Sequence, residues 1–244
     1  MVHNRQVVDA LAAKGARAAA SLEEVSGRRL ALPSHGVAPE TLARVQGRVE
    51  VIDATCPFVR RAQQAARRLA AGGFAVIVFG DVAHPEVRSL LGWAGGKACA
   101  TLDWNEAARY TEGRRRVGVI AQTTQNIGAF LEFLHRLVDA RLDGLLELRV
   151  INTVCDATSE RQRAALDLTG GVDAVVVVGG RHSSNTRRLA EICAGTGLPA
   201  HLVESAQELE AGWFTGLRRV GLTAGASTPD EVIAEVERRL KEMR

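Results

Sequence analysis

The sequence predicts an α/β protein made of three similar units, each with a small parallel sheet. The first observation is an internal repeat: the segment that starts at Val51 aligns without gaps with the segment that starts at Val150 for about 40 positions, at a shift of 99 residues (155 − 56 = 99). The second is that the apolar runs 75–79 and 174–178 do not alternate, which is typical of parallel strands buried on both faces. The chain has 244 residues, 46% of them hydrophobic, which is enough for a substantial core.

Each copy of the repeat contains a strand, a cysteine, a helix, a second strand and a polar turn. An apolar run ends at Ile52, and the next five residues combine capping side chains with a proline that suits the first position of a helix. Apolar residues then recur at helical spacing from Phe58 to Leu69. The sequence therefore predicts that Cys56, and Cys155 in the second copy, lie beside helix N-termini, where the helix dipole and backbone N–H groups favour a thiolate.

The repeat divides the chain into residues 1–50, 51–149 and 150–244, and the first of these units is incomplete. In the complete units the cysteine precedes the polar turn by the same distance (84 − 56 = 28 and 183 − 155 = 28). The same spacing counted back from His3 predicts a third cysteine upstream of Met1, and hence a truncated chain.

The polar motifs all follow predicted strands. Ligands of parallel sheets bind outside the carboxyl ends of the strands, so three units around an axis are expected to direct their motifs at one central cavity. Cysteines from three units would meet there. Three thiolates form an incomplete ligand set for an iron–sulfur cluster that usually takes four, and would leave one iron open to substrate.

Composition argues against several other classes. The net charge is only +3, the arginines are scattered and there is a single tyrosine, which does not suit a nucleic-acid groove. No apolar run approaches the roughly 20 residues of a membrane span, and the N-terminus lacks a signal-peptide pattern, so a cytoplasmic protein is expected. Cys99 and Cys193 lack polar neighbours and are interpreted as buried hydrophobes.

Seven ordered motifs, SHGVAP, DATCP, HPE, QTT, NTVCDAT, SSNT and TAGAS, together resemble the 4-hydroxy-3-methylbut-2-enyl diphosphate reductase family. The resemblance implies a trefoil of three α/β units around a 4Fe–4S cluster. It also implies reductive removal of an allylic hydroxyl to give isopentenyl and dimethylallyl diphosphate, in the non-mevalonate isoprenoid pathway, with ferredoxin or flavodoxin as electron donor.

The resemblance further implies roles for individual residues. Two cluster ligands match Cys56 and Cys155, whereas the third has no counterpart here. Glu86 matches the acid of the proton relay, with Thr123 beside it. The residues that match or line the substrate site are His3, His35, His84, Gln122, Thr123, Thr158, Ser183, Ser184, Asn185 and Ser227.

Other interpretations remain open on the residues alone. A chain with two cluster thiolates would be a catalytically inactive diphosphate-binding fragment or paralogue. Alternatively, Cys56 or Cys155 would act as a nucleophile without a metal. Glu86 also suits a first-turn acid that complements a helix dipole, and Ser183 and Ser227 suit helix caps. A capped helix N-terminus is itself an anion site, so the last two interpretations are compatible.

Overall fold

A computed structural model describes residues 5–96 and 98–243. The strands are β1 (Arg29–Leu32), β2 (Glu50–Asp53), β3 (Ala75–Phe79), β4 (Ala98–Thr101), β5 (Arg116–Ala121), β6 (Glu147–Ile151), β7 (Ala174–Val178), β8 (Ala200–Val203) and β9 (Val220–Ala224). The α-helices are α1 (Arg5–Ala13), α2 (Pro39–Val45), α3 (Pro57–Ala71), α4 (Pro85–Trp93), α5 (Trp104–Tyr110), α6 (Ile127–Arg141), α7 (Asp156–Thr169), α8 (Ser184–Ala194) and α9 (Asp230–Glu242). Short 3₁₀ turns supply part of the connections.

The strands form three sheets, and every strand pair is parallel. The sheet orders are β1-β2, β4-β3-β5-β6 and β8-β7-β9. The predicted α/β class with small parallel sheets is therefore confirmed. The two central strands β3 and β7 are buried at every position, as the continuous apolar runs predicted.

The strand that opens each repeat completes the sheet of the preceding unit. β2 pairs with β1, and β6 pairs with β5. The first sheet has two strands among the described residues. In the second sheet β5 lies between β3 and β6, whereas in the first sheet the equivalent strand β1 pairs with β2 and has no described strand on its other side. The unit predicted to be incomplete thus has the smallest sheet.

Helices cover both faces of the four-stranded sheet. The side chains of Val76 and Val78 pack with α3 and α4, whereas Ile77 and Phe79 point to the other face and pack with α5 and α6. Because successive residues of a strand face opposite sides, one five-residue strand contributes to both cores. The N-termini of α3 and α4 follow the carboxyl ends of β2 and β3, which places the motifs of the sequence at strand ends.

The chain forms two compact units. One contains residues 19–155, with the first and second sheets, and the other contains the described residues before Ala19 together with those after Cys155. The second unit holds the third sheet, whose β7 packs against α8 and α9 on separate core clusters. Within the described residues, no helix combines the length and apolar character needed to cross a membrane.

Candidate active site

Cys56 and Cys155 occupy equivalent backbone positions. Before each, an Asx turn closes the strand end: Asp53 accepts a hydrogen bond from the Thr55 N–H at 2.9 Å, and Asn152 accepts one from the Val154 N–H at 3.0 Å. The Cys56 N–H then donates to the carbonyl of Ser34, and the Cys155 N–H donates to the carbonyl of Thr123, both at 2.9 Å. A helix starts directly after each cysteine.

This geometry suits thiolate ligands. Both cysteines are partly exposed in the same compact unit, and each lies where helix N–H groups favour negative charge. Iron–sulfur clusters are held by such thiolates, so the two residues fit part of a cluster ligand set. Of the other two cysteines, Cys193 is fully buried as predicted, whereas Cys99 at the sheet edge is only partly buried, so its interpretation as a buried hydrophobe is wrong. Burial raises the pKa of both thiols.

Glu86 is a buried acid held by Thr123. Its carboxylate accepts a hydrogen bond from the Thr123 N–H at 2.7 Å and another from the Thr123 hydroxyl at 2.9 Å. Burial raises the pKa of Glu86 to about 7, against the opposing effect of the two hydrogen bonds. A carboxyl group with this pKa can hold and release a proton near neutral pH, which is what a general acid requires.

Thr123 connects the acid to one of the cysteines. Its N–H and hydroxyl bind Glu86, and its carbonyl accepts the hydrogen bond from Cys155. The structure therefore brings together three residues that the sequence analysis selected separately. Glu86 and Cys155 lie 69 residues apart in the chain (155 − 86 = 69), so only tertiary folding brings them together.

His35 and His84, two of the three histidines of this unit, use Nδ1 in opposite ways. Nδ1 of His84, the N-cap of α4, accepts a hydrogen bond from the Glu86 N–H at 3.1 Å, so the ring proton of the neutral imidazole lies on Nε2. Nδ1 of His35 lies 3.0 Å from the carbonyl of Gly36, and only an Nδ1–H can donate to it. The two contacts therefore imply opposite tautomers of the neutral rings, with the proton on Nε2 of His84 and on Nδ1 of His35.

Gln122 holds two loops together. It is fully buried, and its carbonyl oxygen accepts hydrogen bonds from the Asp81 N–H and the Gln125 side chain, both at 3.1 Å. Its amide nitrogen donates to the Thr124 hydroxyl at 3.0 Å. These contacts tie the loop after β5 to the loop after β3. Substrate binding by Gln122 stays a prediction.

In the other unit, the start of α8 carries three polar side chains that the sequence analysis selected. Ser183 is the N-cap, and its hydroxyl accepts a hydrogen bond from the Thr186 N–H at 3.4 Å, while Ser184 begins the helix and is partly exposed. Asn185 is 7% exposed, and neither its side-chain oxygen nor its nitrogen has a hydrogen-bond partner among the described residues. Buried amides are nearly always paired, so Asn185 is an exception, and substrate binding by it stays a prediction.

The loop that carries Ser227 packs against the same helix start. A Cβ on Gly225 would lie 2.1 Å from the Thr186 hydroxyl oxygen, so the loop after β9 approaches α8 more closely than a side chain permits. The Thr228 hydroxyl donates to the Val178 carbonyl at 3.0 Å and fixes that loop to the end of β7. The structure thus brings Ser227 and the Ser183 to Asn185 turn to the same end of the third sheet.

Two predicted residues stand apart from these groups. Thr158 lies in the first turn of α7 and is 7% exposed. His3 lies outside the described residues. The roles assigned to both stay predictions.

Sequence reasoning missed one buried polar pair. The amide nitrogen of Gln63 on α3 donates to the Ser89 hydroxyl on α4 at 2.9 Å, and both side chains are at most 5% exposed. The same amide nitrogen would lie 2.2 Å from a Cβ on Gly36, whose φ of +69° also favours glycine. Gln63 therefore contacts the elements that carry His35 and Glu86. A glutamine on the apolar face of α3, repeated at Gln162, was the available signal.

Comparison with known proteins agrees with this geometry. The model of the LytB protein family matches residues 1–241. A 4-hydroxy-3-methylbut-2-enyl diphosphate reductase of Dehalococcoides mccartyi is 44% identical over 237 residues, which are 97% of this chain and 83% of the relative. The enzyme of the same name from Geobacter sulfurreducens is 43% identical over 243 residues, covering 99% and 84%.

Two solved structures share the fold. A structure of (E)-4-hydroxy-3-methyl-but-2-enyl diphosphate reductase, described as the terminal enzyme of the non-mevalonate pathway, matches with a TM-score of 0.68 and 36% identity over 99% of this chain and 85% of that one. The Plasmodium falciparum E-1-hydroxy-2-methyl-but-2-enyl-4-diphosphate reductase matches with a TM-score of 0.88 over 98% of this chain and 76% of that one, and at 23% identity it supports the fold alone. On the family match and the identities to these reductases, the chain belongs to the LytB protein family.

Proposed function

We propose that this chain reduces 4-hydroxy-3-methylbut-2-enyl diphosphate to isopentenyl and dimethylallyl diphosphate. The reaction consumes two electrons and two protons, breaks the allylic C–O bond and releases the hydroxyl as water. The observation that carries the proposal is the buried Glu86 carboxyl, which Thr123 holds and whose pKa lies at about 7. The names of the curated relatives identify the substrate class.

Glu86 would supply the proton that lets the hydroxyl leave as water. Burial keeps a fraction of its carboxyl groups protonated near pH 7, whereas an ordinary glutamate would be ionised. The two hydrogen bonds from Thr123 hold the carboxylate in one orientation after the proton has left. Thr123 would therefore position the acid and stabilise its ionised form.

The start of α8 would bind the diphosphate. Donors for phosphate oxygens would come from the Ser183 cap, the backbone N–H groups of the first helical turn and the Asn185 amide, which has no partner among the described residues. Ser184 and Ser227 would add hydroxyl donors at the same end of the sheet. Substrate binding by His35 and His84 stays a prediction.

Cys56 and Cys155 would hold the 4Fe–4S cluster as two of its ligands. When bound, the cluster supplies the two electrons, which a protein donor of the ferredoxin or flavodoxin type delivers, and a Lewis-acid site for the hydroxyl. The protein's own contribution at these positions is the pair of matched backbone turns that place each cysteine directly before a helix.

The test is anaerobic reconstitution with iron and sulfide, followed by a turnover assay with dithionite and methyl viologen. We expect iron and labile sulfide in the wild-type protein and loss of both in Cys56→Ser, whereas Cys99→Ser keeps them. Glu86→Gln is expected to bind iron normally and to lose at least about 100-fold in kcat, because a proton donor contributes on that scale. Full activity of Glu86→Gln would exclude the proposed role of Glu86.

The same experiment distinguishes the alternative of an inactive diphosphate binder. That protein would bind pyrophosphate through the α8 start and lose binding on change of Asn185, yet show no turnover at any iron content. A metal-free enzyme that uses a cysteine nucleophile would instead be active without iron and lose activity in proportion to thiol alkylation.

A further inference from the structure

One exposed face of α3 is uniformly basic. The helix has 15 residues and contains no acidic side chain. Its exposed polar positions are Arg60, Arg61, Gln64, Arg67 and Arg68. At 3.6 residues per turn these five positions fall within an arc of about 120°, with Gln64 near the centre. The arginines thus lie on a single stripe, which is called here the α3 arginine face.

Most of this charge is not neutralised. Arg60 pairs with Asp53, with 2.8 Å between the guanidinium nitrogen and the carboxylate oxygen, and both side chains are largely solvated. Among the described residues, no carboxylate lies within ion-pair distance of Arg61, Arg67 or Arg68. Arg61 lies over the Phe58 ring at 5.5 Å and Arg67 over the Trp93 ring at 5.7 Å, which keeps their guanidinium groups at the surface.

The location of this face distinguishes it from the other arginines of the chain. α3 begins directly after Cys56, so Arg60 and Arg61 lie four and five residues beyond the cysteine proposed as a cluster ligand. Because a helix of 15 residues is about 22 Å long, the face reaches from that cysteine across a distance comparable to the footprint of a small protein. A reductase must receive electrons from a donor that approaches its cluster, and a basic face at the cluster ligand favours an acidic donor.

We propose that the α3 arginine face is the docking surface for the acidic electron-transfer protein that reduces this enzyme. The inference rests on the proposed reductase function. Arg61, Arg67 and Arg68 would attract the acidic donor and orient it with its redox centre toward Cys56. Interface arginines with aromatic neighbours are well suited to such contacts, since Phe58 and Trp93 offer apolar area beside the charges.

The test compares a charge-reversed variant with a matched control. Arg61→Glu/Arg68→Glu changes two exposed arginines that have no acidic partner among the described residues. The control, Arg109→Glu/Arg136→Glu, makes the same change of charge at exposed positions of α5 and α6, which cover the opposite face of the same sheet. Each reconstituted protein is assayed with a reduced acidic ferredoxin and, separately, with dithionite and methyl viologen, which need no protein docking.

At low ionic strength we expect kcat/KM for reduced ferredoxin to fall about tenfold in the α3 variant and to stay within about twofold in the control. Turnover with dithionite and methyl viologen should equal that of the wild type in both variants. Equal ferredoxin kinetics in the α3 variant and the control would overturn the proposal. An equal loss with both reductants would also overturn it, because the damage would then not concern docking.

A binding measurement keeps the proposal separate from the proposed activity. The dissociation constant for oxidised ferredoxin, measured by surface plasmon resonance from 20 to about 300 mM salt, should rise steeply with salt for the wild type and only weakly for Arg61→Glu/Arg68→Glu. A wild-type protein without turnover but with this salt dependence would refute the reductase function and leave the docking surface standing. Turnover with a salt-independent dissociation constant would do the reverse.

Discussion

The buried pair of Gln63 and Ser89 makes a sharp stability prediction. The change is Gln63→Met, which keeps the length of the side chain and removes the amide that donates to the Ser89 hydroxyl at 2.9 Å. Both side chains are buried, with exposures of 5% and 2%, so water does not replace the lost partner. An unsatisfied buried hydroxyl costs about 1–3 kcal/mol, and we expect a loss of unfolding free energy in that range.

The matched control is Gln64→Met on the same helix. Gln64 is exposed, so the same chemical change there should alter the unfolding free energy by less than about 0.5 kcal/mol. Urea unfolding of the full chain at neutral pH measures both values. The double variant Gln63→Met/Ser89→Ala removes donor and acceptor together and should recover part of the loss. With the single variant Ser89→Ala it completes the cycle that gives the coupling of the pair.

The pair also has a functional consequence, because α3 begins after Cys56 and α4 carries Glu86 in its first turn. A shift of α4 would lengthen the hydrogen bonds from Thr123 to Glu86, and weaker bonds to the carboxylate raise its pKa further. The pH dependence of turnover should therefore move to higher pH in Gln63→Met and not in Gln64→Met. Equal stability of the two variants, or an unchanged pH profile, would refute this role for the pair.

Three further predictions concern single residues. Burial raises the pKa of Glu86 from 4.5 to about 7, so its contribution to stability is full below pH 4.5 and is lost as the pH rises through 7. Urea unfolding from pH 4.5 to 8 should therefore show the wild type losing up to about 3 kcal/mol of unfolding free energy relative to Glu86→Gln. Parallel curves for the two proteins would contradict this. Asn185→Leu should leave the melting temperature unchanged or raised, since the Asn185 amide has no partner among the described residues. The same change should weaken pyrophosphate binding, measured by calorimetry, at least about tenfold. An unchanged affinity would exclude Asn185 from the anion site. Gly225→Ala should destabilise the protein by about 1–3 kcal/mol, because the new Cβ would lie 2.1 Å from the Thr186 hydroxyl oxygen. The control is Gly212→Ala, whose Cβ would meet open space. Equal effects of the two substitutions on stability would refute this explanation.

Much of the local structure follows from the sequence because it depends on short-range periodicity. The apolar runs 75–79 and 174–178 coincide with β3 and β7, and the helical spacing from Phe58 to Leu69 falls within α3. The strands β4 and β8 were not identified. Each has four residues and lies at a sheet edge, so neither carries a long apolar run.

The sequence by itself determined the repeat, the parallel α/β class and the placement of Cys56 and Cys155 at helix starts, since all of these follow from residues close together in the chain. The tertiary structure alone decided which distant groups meet: Thr123 with Glu86, 37 residues apart, Gln63 with Ser89, 26 apart, and the Cys155 N–H with the Thr123 carbonyl. It also decided that Asn185 is buried without a described partner. Such contacts depend on the path of the whole chain through its sheets, and no local pattern of side chains encodes that path.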